Sequence, residues 1–343
     1  MDHSKLHWLE KFQTQLAAVL VLAAMYFLIW PLIAPADPQA AVTFLPQGLY
    51  AEIIVYALAV WVLSALVAVL TIHARPESAM VATLIGAGGI ALRSSRVRFL
   101  YMFNQDSLGG VFLGMIFELL ILAIILIVAS AIITFIRSRV ESVKPRWVRK
   151  PKLEHLPEAQ RMPVALSPGG ASVIRWLVFL NLVPLEARPT EEDRQPRKSA
   201  ATQKINLLHQ SVQFLAVGAV VAVLLLGLLL RSPDRGQVVF AVLASFTLGT
   251  LAAELLFPTP LGVLAWLLPL LAGIVCCLWG AVTPVPDAAA GWAVVPLQAR
   301  ALPIDWMTFG VGGAFWGYWM GLRMHERWII EKQNKEVAQT QKN

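Results

Sequence analysis

The chain has 343 residues, of which 57% are hydrophobic and 14% are charged. Soluble domains are usually about 45–50% apolar and about 25% charged, so this composition excludes an ordinary soluble fold and indicates an all-α, polytopic integral membrane protein. The net charge of +7 is concentrated in residues 137–209, which hold 14 Lys/Arg against 7 Asp/Glu, so the sequence does not predict a nucleic-acid-binding protein.

Long apolar runs define the predicted membrane spans. About 20 apolar residues in a helix cross the hydrocarbon core, because each residue adds about 1.5 Å. Six or seven runs meet this length, and together with a shorter one they predict seven or eight transmembrane helices. The long runs are residues 12–34, 49–72, 110–136, 211–230, 238–257, 261–283 and 306–322.

The shorter run, residues 79–92 ("AMVATLIGAGGIAL"), decides the predicted topology of the first half. If it crosses the membrane, the N-terminus and Arg75 lie on the cytoplasmic side with the basic segment, as the positive-inside rule favours. Its helix would be about 21 Å long, which is short for a span. Because of the charge distribution we nevertheless favour eight crossings, and a re-entrant or interfacial segment is the alternative.

Charge and apolarity divide the chain into four predicted regions. An N-terminal bundle of three or four spans covers residues 1–136, and a four-helix bundle covers residues 210–323. Between them, residues 137–209 form a basic cytoplasmic linker with an interfacial helix at 171–185, and residues 324–343 form a cytoplasmic polar tail. The predicted contacts with anionic lipid headgroups are the basic residues that open the linker: Arg137, Arg139, Lys144, Arg146, Arg149, Lys150 and Lys152.

Two carboxylates fall inside apolar runs, where an ionisable side chain is costly and faces other helices. Glu118 lies well inside its run, in "GMIFELLILAII". It predicts either a proton or cation relay or a hydrogen-bonded residue that fixes helix contacts. Glu254 stands three residues before Phe257 and can reach the interface. Asp305 precedes the last run as a predicted N-cap.

Glycines at helical spacing predict close packing of helices, because small residues let backbones approach where hydrophobicity provides no drive between helices. In the last run they form a stripe on one face, and the rings of Phe315, Tyr318 and Trp319 project from the opposite half. The partner helix belongs either to this chain or to another one, and a glycine-lined passage for a substrate is the alternative. The predicted packing glycines are Gly110, Gly114, Gly310, Gly313, Gly317 and Gly321.

Motifs for catalysis and ligand binding are absent from the sequence. Cys276 and Cys277 are adjacent and cannot build a disulfide framework, and "LIGAGGIAL" lacks the third glycine of a dinucleotide fingerprint. No metal site and no cofactor are predicted.

We therefore expect a non-enzymatic subunit that scaffolds or anchors a larger assembly in a bacterial inner membrane, through its small-residue stripes and its basic cytoplasmic face. Its expected partners are membrane lipids and other membrane subunits or a second copy of the chain. The alternatives are a transporter or an ion- or proton-conducting protein that uses Glu118, and a membrane-embedded lipid-modifying enzyme.

Overall fold

A computed structural model describes residues 3–35, 41–72, 74, 76–94, 100, 101, 104, 107–143, 200–232, 234–259, 262–282 and 300–340. These residues are almost entirely helical and contain no strand, which confirms the predicted all-α class. Most of the predicted linker lies outside them, including the expected interfacial helix at 171–185 and the headgroup residues Lys144, Arg146, Arg149, Lys150 and Lys152.

The helices follow the apolar runs and end where polar or turn-forming residues begin. Proline opens α3 and the helical turn before α9, where its missing N–H and fixed φ suit the first turn of a helix. That turn, Pro303–Asp305, leads through π-helical turns at Trp306–Gly310 into α9. The helices are α1 (His3–Ala23, continued by π-helical turns at Ala24–Ile29 to Trp30–Ile33), α2 (Tyr50–Leu70), α3 (Pro76–Ala87), α4 (Gly89–Arg93), α5 (Leu108–Val143), α6 (Ala200–Leu229), α7 (Arg235–Leu256), α8 (Val263–Val282) and α9 (Val311–Thr340).

Six helices in the described part of the chain are long and apolar enough to cross a membrane, so the predicted count of seven or eight is not confirmed. Two predicted spans do not reach the required length and apolarity. Ser78–Arg93, in α3 and α4, is apolar but short, and α9 becomes polar from Arg323 onward. The six qualifying segments are Phe12–Ile33, Tyr50–Leu70, Leu108–Arg139, His209–Leu229, Arg235–Leu256 and Val263–Val282.

Large apolar side chains cover the outside of the bundle. Leu32 on α1, Val62 on α2 and Leu224 on α6 are 64%, 68% and 63% exposed. Exposure to water would cost about 25 cal/mol for each Å² of such surface, whereas lipid tails accept it. The exposed apolar surface is therefore the side of each helix that faces lipid.

Contacts near helix termini define two ends of the bundle. At the linker end, where α5 leads into the linker, Arg137 donates to the carbonyl oxygen of Ala74 just before α3. At the far end, Arg235 at the start of α7 donates to the carbonyl oxygen of Ala91 in α4. The segment formed by α3 and α4 therefore runs from the linker end towards the far end, with a break at Gly88. Whether residues 79–92 cross the membrane stays a prediction.

The glycine stripe of α9 packs against α7 of the same chain. A Cβ atom added at Gly313 would lie only 2.5 Å from the carbonyl oxygen of Leu243, and one added at Gly317 would overlap the carbonyl oxygen of Thr247. Backbone oxygens cannot move aside as side chains can, so glycine is required for this distance between the helices. The partner helix of the stripe thus belongs to this chain.

The two outer glycines of the stripe meet side chains. Gly321 lies against Glu254 near the linker end, and Gly310 lies against Pro269 of α8 and Val242 of α7. The absent side chains at both positions leave space that these neighbours fill.

Two rings on the aromatic half of α9 also face protein. Phe315 is buried and meets Trp266 edge-on, with ring centroids 5.9 Å apart. Tyr318 is buried and meets Phe214 of α6 edge-on at 6.4 Å. Such T-shaped pairs stabilise beyond the burial of area, by about 0.5–1.5 kcal/mol. Phe315 and Tyr318 therefore face protein, whereas Trp316 between them is exposed.

Helices of the two predicted bundles pack directly against each other. A Cβ atom at Gly312 of α9 would lie 3.1 Å from Ile85 of α3, and one at Gly280 of α8 would lie 2.5 Å from the ring of Phe112 of α5. Glycine therefore also mediates the contact between residues 1–136 and residues 210–323.

We predict that Gly317→Ala lowers the free energy of unfolding in detergent by about 1–3 kcal/mol, because the new methyl group overlaps the α7 backbone. The matched control is Gly227→Ala on α6, where no described atom lies within 4 Å of an added Cβ. The control should leave stability unchanged or raise it by up to about 1 kcal/mol. Equal unfolding midpoints for the two variants in a denaturant titration would contradict the proposed packing.

Candidate functional site

A non-helical loop between α1 and α2 enters the bundle. Residues 41–44 are fully buried, and the amide of Val42 donates to the hydroxyl of Ser94 at 2.8 Å. The side-chain amide of Gln47 folds back onto the same loop and donates to the carbonyl oxygen of Ala41. Gly48 has a φ of +70°, a conformation that glycine adopts without steric cost. The chain can therefore turn sharply into α2.

The Glu118 carboxylate binds the amides in the middle of this loop. Its Oε2 accepts hydrogen bonds from the amides of Phe44 at 2.8 Å and Leu45 at 3.2 Å. Glu118 stands about 15 Å along α5 from Leu108, a depth at which lipid cannot satisfy a backbone N–H group. This role corresponds to the predicted hydrogen-bonded residue that fixes contacts between elements.

Gly114 makes room for the loop on α5. A Cβ atom there would lie 3.2 Å from the ring of Pro46, whereas no described atom lies within 4 Å of one at Gly110, which is exposed. Of these two predicted packing glycines, only Gly114 is in close contact with another described residue.

The other oxygen of Glu118 belongs to a group of buried polar atoms. Neither Oε1 of Glu118 nor the hydroxyl of Tyr56 has a hydrogen-bond partner among the described residues, although both side chains are fully buried. The thiol of Cys277, on α8, is close enough to interact electrostatically with Glu118. We call Glu118, Tyr56 and Cys277 the Glu118 site.

Two further rings border the Glu118 site. Phe44 packs on Tyr56 with ring centroids 5.6 Å apart, which closes the site on the side of the loop. Tyr101 lies outside the long spans and interacts with Cys277. Burial, with a smaller contribution from Cys277, keeps the pKa of Tyr101 far above its usual range, so its hydroxyl is neutral.

Glu254 holds the turn between α7 and α8 at the linker end. Its Oε2 accepts a hydrogen bond from the amide of Thr259 at 3.2 Å, and the hydroxyl of Tyr318 donates to the carbonyl oxygen of Thr259 at 2.9 Å. A ring nitrogen of His325 lies 3.1 Å from the carbonyl oxygen of Glu254. The Glu254 side chain is fully buried, although its position near the end of an apolar run predicted access to the interface. These contacts fix α9 against the turn.

A buried ion pair closes the far end. Arg235 donates to both carboxylate oxygens of Asp305, with Nη1–Oδ2 and Nη2–Oδ1 distances of 3.0 and 2.5 Å. The same guanidinium donates to the carbonyl oxygen of Ala91, and Asp305 accepts from the amide of Leu302 at 2.7 Å. Asp305 thus binds the backbone at a helix start, but the predicted N-cap is wrong, because Leu302 occupies that position and Asp305 is the third residue of the turn.

Sequence reasoning did not identify Arg235 as the partner of Asp305. The available signal was that each residue directly precedes an apolar run, which places both at the same end of an antiparallel bundle. Seventy residues separate them, so the signal gives the end of the bundle but not the pairing.

The two described basic residues of the predicted headgroup set lie in different environments. Arg137 is buried, and its guanidinium reaches Thr71 at 3.4 Å as well as the carbonyl oxygen of Ala74. Arg139 is exposed, and its guanidinium carbon lies 5.2 Å from the ring centroid of Phe135. Arg137 therefore fixes the connection between α2 and α3, whereas Arg139 faces outward.

The fold and its exposed apolar helices define a helical, multi-pass membrane protein. No protein-family model, no curated protein and no solved structure matches the chain. Within the described ranges, no group of three or more His, Cys, Asp or Glu side chains could hold a metal ion, and Cys276 and Cys277 carry free thiols.

We predict that Asp305→Asn lowers the free energy of unfolding by about 3–5 kcal/mol, because the buried Arg235 charge loses its partner. Asp234→Asn is the matched control, since Asp234 is exposed and adjacent to Arg235 in sequence. The control should change stability by less than about 0.5 kcal/mol. Thermal or denaturant unfolding in detergent measures both, and a tolerated Asp305→Asn would refute the stabilising role of the pair.

Proposed function

We propose that the protein is a non-enzymatic membrane subunit that scaffolds or anchors a larger assembly in a bacterial inner membrane. The observation that carries this proposal is the geometry of α9, which combines a packed base with an extension that continues past the end of α7. A helix of this kind can present a binding surface at a fixed position beside the membrane.

The base of α9 is held in the bundle and the rest of the helix extends past its neighbour. From Val311 to Thr340 the helix is continuous, a length of about 45 Å. Its Gly321 lies against α7 one turn before the end of that helix at Leu256. Residues 326–340, about 22 Å of helix, therefore continue beyond the end of α7. We call these residues the α9 arm.

The α9 arm is polar with one large exposed ring. Its sequence, "ERWIIEKQNKEVAQT", mixes both signs of charge, and Trp328 is 76% exposed. Tryptophan is enriched among the residues that dominate protein interfaces, because its ring buries a large area with little loss of side-chain entropy. The α9 arm is thus suited to contact a partner subunit or a second copy of the chain.

Lipid contact at the linker end is the second part of the proposal. Arg139 is exposed just past the buried Arg137, at the point where α5 leaves the bundle. A basic residue near an anionic membrane surface contributes about 1 kcal/mol of attraction. The exposure of Arg139 supports contact with lipid headgroups and a cytoplasmic location of this end.

Transport or ion or proton conduction is the second candidate function. It is favoured by Glu118, whose Oε1 has no described partner at a depth of about 15 Å along α5. No contact among the described residues favours a lipid-modifying enzyme.

We expect a chain that ends after Arg327 to insert and fold normally but to lose its assembly, because the α9 arm lies beyond the packed bundle. Extraction into native nanodiscs followed by mass determination should give a complex larger than one chain for the full-length protein. The truncated chain should give a smaller mass at an unchanged thermal unfolding midpoint. A full-length protein that is strictly monomeric and free of partners would exclude the scaffold function.

Single tryptophan substitutions test the contact made by the α9 arm without removing a segment of the chain. Trp328→Ala should weaken the assembly by about 2 kcal/mol or more, as expected for an interface hot spot. Trp316→Ala is the control, since Trp316 is also exposed but lies within the bundle. Equal effects of the two substitutions would argue against the α9 arm as the contact.

A further inference from the structure

We infer that the Glu118 site binds one monovalent cation, a proton or Na⁺, between Oε1 of Glu118 and the hydroxyl of Tyr56. The inference concerns binding alone and is independent of the scaffold proposal. It begins from the two unpaired oxygens, which are fully buried and come from different helices. Polar atoms in such a position are normally satisfied by a partner, a water or an ion.

No basic side chain compensates Glu118 among the described residues. The guanidinium of Arg235 is bound to Asp305, and Arg137 lies about 28 Å further along α5. Arg300 reaches the connection between α6 and α7, with its Nη1 3.5 Å from a carbonyl oxygen there. An ionised carboxylate without a countercharge is costly inside a membrane, so a single positive charge is the complement that the site lacks.

The two carboxylate oxygens of Glu118 have different tasks. Oε2 is occupied by the amides of Phe44 and Leu45, which leaves Oε1 for a ligand. A carboxylate and a hydroxyl oxygen are hard ligands and suit a proton or Na⁺. A divalent ion is usually bound by additional carboxylates, and no cluster of three metal-ligating side chains is found in the described part of the chain.

The titratable groups around the site are neutral in their ordinary forms. Tyr56 on α2 and Cys277 on α8 interact electrostatically with Glu118, and Tyr101 interacts with Cys277. Phenols and a thiol carry no charge near neutral pH unless they are activated. Glu118 is therefore the group that holds the cation.

The other elements that pack on α5 add no free charge. Residues 41–49 contain no titratable side chain, and neither does α3 from Ser78 to Ala87. The helical turn Pro303–Asp305 also packs on α5, and its Asp305 is paired with Arg235. On α2, Glu52 lies one turn before Tyr56 but is only partly buried, so Glu118 is the one fully buried carboxylate of the Glu118 site.

Thermal unfolding of the full chain in nanodiscs tests the inference, with Na⁺ exchanged for choline at constant ionic strength. If Na⁺ is the ligand, the midpoint rises with Na⁺ concentration in the wild type, as mass action requires, and Glu118→Gln abolishes the rise. If a proton is the ligand, the midpoint is insensitive to Na⁺ at neutral pH. Infrared spectroscopy then shows a carboxylic-acid C=O band that Glu118→Gln removes. Glutamine retains an oxygen for the amides of Phe44 and Leu45, so the loop is preserved.

Tyr56→Phe provides a second test that keeps the ring. Loss of one oxygen ligand should weaken Na⁺ binding roughly tenfold, or shift the C=O band if a proton is bound. Glu254→Gln is the matched control, since Glu254 is also buried with one unpaired oxygen. The inference is overturned if wild-type Glu118 is an ionised carboxylate with no response to Na⁺. It is equally overturned if Glu254→Gln, and not Glu118→Gln, removes the response or the band.

Discussion

The constraint on which this structure depends is that lipid offers no hydrogen bonds to a backbone that leaves the helix. At several places where the described backbone is not helical or a helix ends, a buried polar side chain binds the freed groups. Glu118 binds the amides of the loop between α1 and α2, Arg235 binds a carbonyl oxygen of α4, and Glu254 binds the turn after α7. Each of these side chains is costly in isolation and is retained because a backbone group requires it.

Close helix packing and polar anchoring support each other along α9. The missing side chain at Gly321 leaves space beside Glu254, whose carboxylate can then fold back onto the amide of Thr259. On the neighbouring turn, Tyr318 donates to the carbonyl oxygen of the same threonine. The glycine stripe lets α9 approach α7 closely, and α9 thereby also fixes the connection between α7 and α8. This double attachment makes the base of α9 rigid enough to hold an extension.

The sequence predicted those features that depend on one segment at a time. The apolar runs predicted helices, the spacing of Gly313 and Gly317 predicted a close backbone contact, and Asp305 was expected at a helix start. Features that join distant segments could not be predicted. Residues 41–49 contain Pro and Gly, as an ordinary surface turn does. Their burial was not predictable from this composition, because the acceptor for their amides, Glu118, lies more than 70 residues away. The span count depends on α3 and α4, whose short apolar segment is lined by protein on several sides and need not match the bilayer by its own length.

Three carboxylates are buried in the described part of the chain, and they differ in how their charge is balanced. Asp305 has the guanidinium of Arg235, whereas Glu254 is buried two residues before the end of its helix and binds the amide of Thr259. Glu118 lies deep in α5 and has only uncharged donors among the described residues. A carboxylate accepts roughly twice as strong a hydrogen bond as a neutral acid does. A proton on Oε1 therefore weakens the bonds at Oε2, whereas Na⁺ leaves Glu118 an ionised carboxylate. In this bundle the attachment of the loop and the protonation of Glu118 are consequently coupled through one carboxylate.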